Sequence, residues 1–415
     1  GIIDEVNKIV SDAQVHRLDF QDGIAQGLIK IMGPEMDDAF ITAILRHRMD
    51  ADMVRLHGPR IVYTPLHGVG GTLMPRALRE WGFTDVMLEP EQMKPDGDFP
   101  TAASPNPEEA VALERAVALA KSENADLVLA TDPDADRLGI AVRHDGQVRL
   151  MTGNQLSALL ADFLLSFAKA KNPDAPKAGI ITTIVTSPLV QRVAEGHGAE
   201  CPLVLTGFKW IAEQMRHWKA TPGSPEFLYG TEESYGYLIG SHARDKDGIV
   251  AACVTAEMAA HLRAKGDTLF DRLYDIYIRH GVHHEWGRSL TMPGVAGAKQ
   301  IQAMIEHIKT TPPSKIGSQD IVRYVRYDTG EIFENGKPAG NAGLPPSDVF
   351  LFDLADGSRG IVRPSGTEPK IKFYFFLCDR TPKGSRADVV STIAQLEKRV
   401  PAFEKEFLLA IGHQG

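Results

Sequence analysis

Cysteine is scarce in this sequence. There are three in 415 residues (Cys201, Cys253, Cys378), with no CxxC and no Cys/His spacing. An odd number without ligand spacing excludes a disulfide framework or zinc finger and points to a reducing compartment. No apolar run approaches the ~20 residues that span a bilayer, and no signal-peptide pattern opens the chain, so no membrane association is expected and the expected location is cytoplasmic. An excess of positive charge is missing too. Lys and Arg number 45 against 54 Asp and Glu, a net charge of −9, which argues against a general binder of nucleic acid or acidic membranes. Tandem repeats and low-complexity tracts are absent. So are two nucleotide signatures: no GxxxxGK[ST] loop occurs, and His67-Gly68-Val69-Gly70-Gly71 fails GxGxxG because Leu73 stands where the third glycine belongs. The first residue is Gly1 rather than methionine, so the chain is expected not to begin at a translation start.

What is present is ordinary globular composition, 43% hydrophobic and 24% charged. At about 150 residues per domain the length suggests two to four domains. Residues 1–36 carry apolar scraps that close no unit and read as the tail of a missing element. Strand-like runs then alternate with helical stretches: RIVYTP, LMPRALREWG, TDVMLE, PEEAVALERAVALAKSE, ADLVLA, LGIAV. That alternation argues an α/β layer with a largely parallel sheet over 37–150. A turn at Asp145-Gly146 is expected to lead into the helix NQLSALLADFLLSFAKAK. A second alternating series follows over 151–285, with GIITTIVTS, LVQRVAEGHG, CPLVLTG, a short helix, EFLYGTEES and the helical IVAACVTAEMAAHLRAKG. The Gly- and Pro-containing GRSLTMPGVAGA marks a boundary. Beyond it, over 286–415, helices bracket β-rich sequence, an α+β unit.

Several loops carry the chemistry. Asp132, Asp134 and Asp136 fall within five residues, between two strand-like runs. Two unit charges ~5 Å apart at an effective dielectric near 20 repel by roughly 3 kcal/mol, so converging three requires a cation. A hard divalent ion with oxygen ligands answers that need; a solvated acidic turn is the bland alternative. A calcium loop fails, because Arg137 and Arg143 stand where its glycine and bidentate glutamate should be. Arg363-Pro364-Ser365-Gly366-Thr367 offers a guanidinium fork, two hydroxyls and permissive backbone, suited to a phosphate dianion or to a polar hairpin tip. Gly230-Thr231-Glu232-Glu233-Ser234 could read vicinal sugar hydroxyls or cap a helix. Thr206-Gly207-Phe208-Lys209 and Arg244-Asp245-Lys246-Asp247-Gly248 complete the set; for His67 a structural role is favoured over acid/base chemistry.

Together and in this order, TPLHGVGG, TDPDADR, TGFKW, GTEESYGY with RDKDG, and RPSGTEPK resemble the α-D-phosphohexomutases, the phosphoglucomutases and phosphomannomutases. The resemblance spans nearly the whole chain and is nearest to the phosphoglucomutase branch. It implies an α/β fold of two related mixed-sheet domains plus a C-terminal α+β domain, with residues 1–36 a remnant of the N-terminal domain. The function it implies is interconversion of glucose 1- and 6-phosphate through a phosphoserine and a 1,6-bisphosphate. Phosphomannomutase or phosphopentomutase specificity and a non-catalytic sugar-phosphate-binding module are the alternatives. By motif, Asp132, Asp134 and Asp136 would hold Mg2+, with Arg137 beside the transferring phosphoryl as the catalytic residue. Glu232, Ser234, Thr206, Gly207, Lys209 and Lys246 would bind the sugar, and Arg363, Ser365, Gly366 and Thr367 the phosphate that is not reacting. Glucose 1,6-bisphosphate would be intermediate and activator, and a hexose phosphate the partner, with no nucleic acid.

One part of the pattern is missing. The family's nucleophilic serine lies in a TASHNP-like loop of its first domain, and no such loop is found. Ser104-Pro105-Asn106-Pro107-Glu108-Glu109 resembles a second-domain segment instead. The first-domain lysine is absent too, and Ser234-Tyr235-Gly236-Tyr237 lacks the histidine some members carry. The expectation is a fragment without most of the N-terminal domain, inactive alone.

Overall fold

The computed structural model describes residues 1–171, 177–365 and 369–413. It divides into two compact units, Gly1–Arg46 and His47–Gly415. The first holds the helices α1 (Ile2–Val6), α2 (Phe20–Ala25) and α3 (Pro34–Leu45) and no strand among its described residues. Asp19 caps α2 by accepting the Gln21 and Asp22 N–H groups at 2.8 and 3.3 Å, and Pro34 opens α3 where its missing N–H costs nothing. Ile2, Val10, Leu28 and Ile31 remain exposed.

The second unit opens with α4 (Ala51–His57), β1 (Ile61–Thr64), α5 (Gly70–Trp81), β2 (Val86–Leu88), α6 (Ala110–Ser122), β3 (Leu127–Thr131), β4 (Leu138–His144) and β5 (Gln147–Met151). Its sheet runs β2-β1-β3-β4-β5. β2, β1 and β3 are parallel, while β4 runs antiparallel to both β3 and β5, so the sheet is mixed, as the resemblance implies, rather than largely parallel as alternation alone suggests. The reason lies in two hairpins. The acidic loop is itself one, joining Thr131 to its partner Leu138. At the other, Asp145 and Gly146 take φ of 50° and 74°, the left-handed pair that reverses a strand tightly. The chain therefore turns back as β5 before entering a helix. β1 and β3 are buried along their whole length, which explains their unbroken apolar runs.

Next come α7 (Gly153–Lys171), β6 (Ala178–Thr183), α8 (Pro188–Gly196), β7 (Leu203–Val204), α9 (Phe208–Ala220), β8 (Glu226–Glu232), β9 (Gly236–Ile239), α10 (Gly248–Arg263) and α11 (Leu269–His280). The sheet order is β7-β6-β8-β9, with β9 antiparallel to β8. The expected short helix is the 13-residue α9, whose Phe208, Ile211, Met215 and Trp218 pack on Ile181 and Leu238. α10 is buried on nearly every side. It packs against α4, α5, β3 and β4 of the first layer as well as β9 and α11 of its own.

The chain ends in β10 (Val282–Thr291), α12 (Gly294–Thr310), β11 (Lys315–Ile316), β12 (Gln319–Arg326), β13 (Glu331–Glu334), β14 (Lys337–Asn341), β15 (Phe350–Leu354), β16 (Arg359–Pro364), β17 (Lys370–Asp379) and α13 (Arg386–Ala410). The antiparallel sheet β10-β17-β16-β15-β12-β13-β14 carries both helices. One apolar cluster joins it to the preceding layer: Ile184, Val185 and Leu205 pack with Val325, Leu351, Ile361 and Phe376. Each such side chain contributes about 1.5–3 kcal/mol when fully buried, enough to fix the two sheets against each other. No helix among the described residues is long and apolar enough to cross a membrane, and all three cysteines are free thiols.

Candidate functional site

The acidic loop is folded by the glycines of the preceding motif. A Cβ on Gly68 would overlap the Pro133 backbone, and the Val69 N–H donates to Pro133 O at 2.8 Å, so this backbone seats Pro133 between the first two aspartates. Ala135, at φ 60°, turns the loop back, and its N–H donates to Asp132 O at 3.0 Å. One carboxylate oxygen from each of Asp132, Asp134 and Asp136 lies within 4.8 Å of the others. Burial, then the charges of Asp136 and Asp134, push the Asp132 carboxyl up to about 7, against the pull of the Arg137 N–H that donates to Oδ1 at 2.9 Å. Asp136 Oδ1 is buried and without a hydrogen-bond partner among the described residues. A cluster of hard oxygen donors, one protonation-prone and one orphaned, fits a divalent cation such as Mg2+.

Side chains supply part of the missing charge. Arg137 Nε lies 3.5 Å from Asp132 Oδ2 and 3.8 Å from Asp136 Oδ1, while its Nη1 donates to Glu108 at 3.0 Å. Lys246 Nζ stands 2.9 Å from Asp136 Oδ2 and 2.8 Å from Asp245. His67 has both ring nitrogens engaged, Nδ1 with Lys94 O at 3.0 Å and Nε2 with Thr101 Oγ1 at 2.8 Å, a structural arrangement. Ser104 donates to Glu109 at 2.9 Å.

The GTEES segment ends β8 and enters the β8–β9 turn, and backbone bonds tie this hairpin and the start of α10 to the acidic loop. Leu138 N–H donates to Tyr235 O at 3.0 Å, and Gly248 N–H, at the start of α10, donates to Ala135 O at 3.0 Å. Glu232 is buried, and its Oε1 accepts the Gly207 N–H at 2.7 Å, which joins the TGFK turn to the hairpin. Burial raises the Glu232 carboxyl; the Gly207 N–H, Lys246 and, more weakly, Arg363 oppose that rise. Thr206 Oγ1 is buried without a hydrogen-bond partner among the described residues, Ser234 is half-buried, and Lys209 is exposed with Nζ 5.2 Å from the Trp210 ring centre. On the C-terminal sheet, Arg363 Nη1 donates to the Tyr374 hydroxyl at 3.5 Å, and Ser365 is exposed. Gly366 and Thr367 lie outside the described residues.

Next to these parts lies a cavity of 310 Å3, whose lining includes Glu108, Glu233, Ser234, Arg288, Lys372 and Tyr374; among the described residues expected at the site, Ser234 alone lies on it. The acidic loop reaches it through the Arg137–Glu108 pair, the hairpin through Ser234, and the C-terminal sheet through Tyr374, the partner of Arg363. Burial and the neighbouring Glu232 raise Glu233 to about 7. Sequence reasoning did not single out Arg288, Lys372 or Tyr374. Lys372 left a faint signal as an exposed cation inside the apolar strand β17; Arg288 and Tyr374 left none. Glu108 belongs to the Ser104–Glu109 segment, whose pattern points to no role for it.

Comparison with known proteins agrees with this geometry. Residues 38–146 match the phosphoglucomutase/phosphomannomutase alpha/beta/alpha domain II and residues 152–277 match domain III. The phosphoglucomutase of Staphylococcus aureus strain MRSA252 is 35% identical over 319 residues, covering 77% of this chain and 56% of that protein. The corresponding protein of strain N315 is 34% identical over the same span. This chain thus spans little more than half the length of these relatives. Two solved structures share the fold: a putative phosphomannomutase from Thermus thermophilus (TM-score 0.57, 16% identity, 88% of this chain and 66% of that one) and a phosphoglucomutase/phosphomannomutase family protein from Burkholderia thailandensis (TM-score 0.57, 18% identity, 91% and 65%). With domains II and III in sequence order around one cavity, the chain belongs to the phosphoglucomutase/phosphomannomutase family.

Proposed function

We propose that this chain is the metal-, sugar- and phosphate-binding part of a magnesium-dependent phosphohexomutase that interconverts glucose 1-phosphate and glucose 6-phosphate. The reading is carried by the carboxylate cluster, whose three oxygens converge within 4.8 Å and whose loop is bonded to the β8–β9 hairpin through Leu138 N–H to Tyr235 O, beside a cavity edged by Glu108 and Ser234. In this reading Asp132, Asp134 and Asp136 hold Mg2+, which when bound would supply positive charge to the phosphoryl oxygens. Arg137 stands beside the transferring phosphoryl group, oriented by Glu108. Glu232 and Ser234 accept and donate to the sugar hydroxyls, Thr206 and Gly207 shape the turn beneath them, and Lys209 and Lys246 add cationic donors. Arg363 and Ser365, with Gly366 and Thr367, grip the phosphate that is not reacting. Phosphoryl transfer depends on positioning and charge neutralisation more than on covalent chemistry by these groups, and a cation facing an anion clamp provides both.

The nucleophile is assigned to a phosphoserine outside the motifs of this chain, with glucose 1,6-bisphosphate as the intermediate. The division into 37–150, 151–285 and 286–415, with 1–36 belonging to an N-terminal domain, and a cytoplasmic location are parts of the same proposal. Calorimetry tests it. Glucose 6-phosphate should bind in the presence of Mg2+, weaken with Arg363→Gln, and lose its metal dependence with Asp134→Asn. Equal binding by the Arg363 variant would overturn the phosphate assignment; tighter binding of mannose or ribose phosphates would move the substrate. Supplied with glucose 1-phosphate, bisphosphate and Mg2+, the chain alone should bind without turnover.

A further inference from the structure

α11 ends at His280 and β10 begins at Val282, so Gly281 is the entire connection between the second α/β layer and the C-terminal sheet. Its φ is +94°, and a Cβ there would lie 3.0 Å from Asp379 O and 3.3 Å from Arg380 Cα, so glycine lets the end of β17 pass close. Beside this crossing is a cavity of 500 Å3, bordered by Arg192 and Glu195 of α8, Arg279 and His280 of α11, and Arg380 just past β17. The Arg380 guanidinium is held over Gly357, where a Cβ would come within 3.0 Å of Nε and 3.1 Å of Cζ.

The charges around this cavity do not cancel. Arg380 also borders an adjoining cavity with Arg323 and Arg359, but those two share Asp353 at 3.4 and 2.6 Å. Arg279 is matched as well, its Nη2 lying 3.1 Å from Asp162. Arg192 gives one N–H to His280 O at 3.0 Å, and neither it nor Arg380 forms an ion pair among the described residues. Glu195 is the one carboxylate on this lining, and it is exposed. Burial first, then the charge of Arg380, hold the Arg192 guanidinium below its ordinary pKa, against the opposing charge of Glu195. Planar guanidinium forks approaching from two elements suit a phosphate group, which can accept from both.

We propose that this cavity is a second anion site, which takes a small phosphate-bearing molecule between Arg192 and Arg380 and thereby ties α8 to the end of β17. It is separate from the Arg363 loop. Arg363 pairs with Lys372 in the β16–β17 ladder, whereas Asp379, next to Arg380, lies seven residues further along β17, roughly 23 Å at strand spacing.

Inorganic pyrophosphate is the probe. It is titrated by calorimetry into the full chain carrying Arg363→Gln, which silences the phosphate loop, and into the same chain with Arg192→Gln and Arg380→Gln added. The first should bind at one site, more weakly as salt rises; the second should bind at least about tenfold more weakly. A chain with Arg192→Lys and Arg380→Lys should keep an intermediate affinity. Absence of binding to the first chain, or unchanged binding to the second, overturns the proposal. Should the substituted chains fail to fold, hydrogen exchange on the unsubstituted chain decides. Pyrophosphate should protect residues 192–198 and 278–283, and unaltered exchange there refutes the site.

Discussion

Asp132→Asn should make the metal-free protein more stable, the reverse of what removing a hydrogen-bonded charge from a buried loop usually does. The Asp132 carboxyl sits at about 7 instead of 3.8 because burial and two neighbouring carboxylates oppose its ionisation. A folded-state value above the unfolded one means that the folded chain binds the proton more tightly. The stabilising contribution is therefore complete below pH 3.8 and lost as pH rises to about 7. The full difference corresponds to roughly 4 kcal/mol, which partial solvation of the loop reduces to roughly 2 kcal/mol. Asparagine keeps the acceptor for the Arg137 N–H and the side-chain volume but carries no charge. In urea titrations with chelator at pH 8, Asp132→Asn should exceed the unsubstituted chain by about 2 kcal/mol, and at pH 4 the two should nearly coincide. Adding Mg2+ at pH 8 should reverse the order, since only the intact cluster gains ligand-linked stability. If the variant is the less stable at pH 8 in chelator, or Mg2+ stabilises both equally, the carboxylate-repulsion argument is wrong.

Three further outcomes follow from other sites. Asp162 is fully buried, yet its carboxyl lies down at about 2, because His197, Arg272 and Arg279 outweigh the opposing effect of burial. Asp162→Asn should cost about 3 kcal/mol in urea titrations near neutral pH. That contribution fades as pH falls from 3.8 towards 2, so parallel acid unfolding of variant and parent would count against it. Gly68→Ala forces a Cβ onto the Pro133 backbone and should weaken the Mg2+-dependent rise in melting temperature at least about tenfold in metal concentration; an unchanged midpoint would show that the loop is seated otherwise. Glu232→Gln retains an oxygen for the Gly207 N–H, so the melting temperature should hold while glucose 6-phosphate affinity falls about tenfold by calorimetry. Loss of both together would make Glu232 a structural rather than a sugar-binding residue.

Much of the fold was legible because buried strands and amphipathic helices leave clear periods. RIVYTP and ADLVLA became β1 and β3, and the leucines and phenylalanines of α7 recur at helical spacing. What escaped was set by turns. β5 follows a left-handed Asp145-Gly146 pair, and β9 follows Tyr235 at φ 64°; neither short strand has an apolar period long enough to announce itself. The acidic triad was readable because three carboxylates in five residues have few inexpensive explanations. The reason for TPLHGVGG was not, since seating Pro133 is a contact between segments more than sixty residues apart. Lys372 and Arg288 enter the cavity through pairing of β10 with β17, a relationship that no local pattern encodes.

α10 belongs by sequence to the second layer but serves as an inner wall for both. Its first residue bonds to the acidic loop through Ala135, and its flank covers β3, β4, α4 and α5. Cutting the chain between Met151 and Gly153 to isolate a metal-binding domain would therefore strip the first layer of its cover and expose aliphatic surface to water. The two layers should melt as one cooperative block, so that a ligand gripping the hairpin is felt at the aspartates without any hinge having to move.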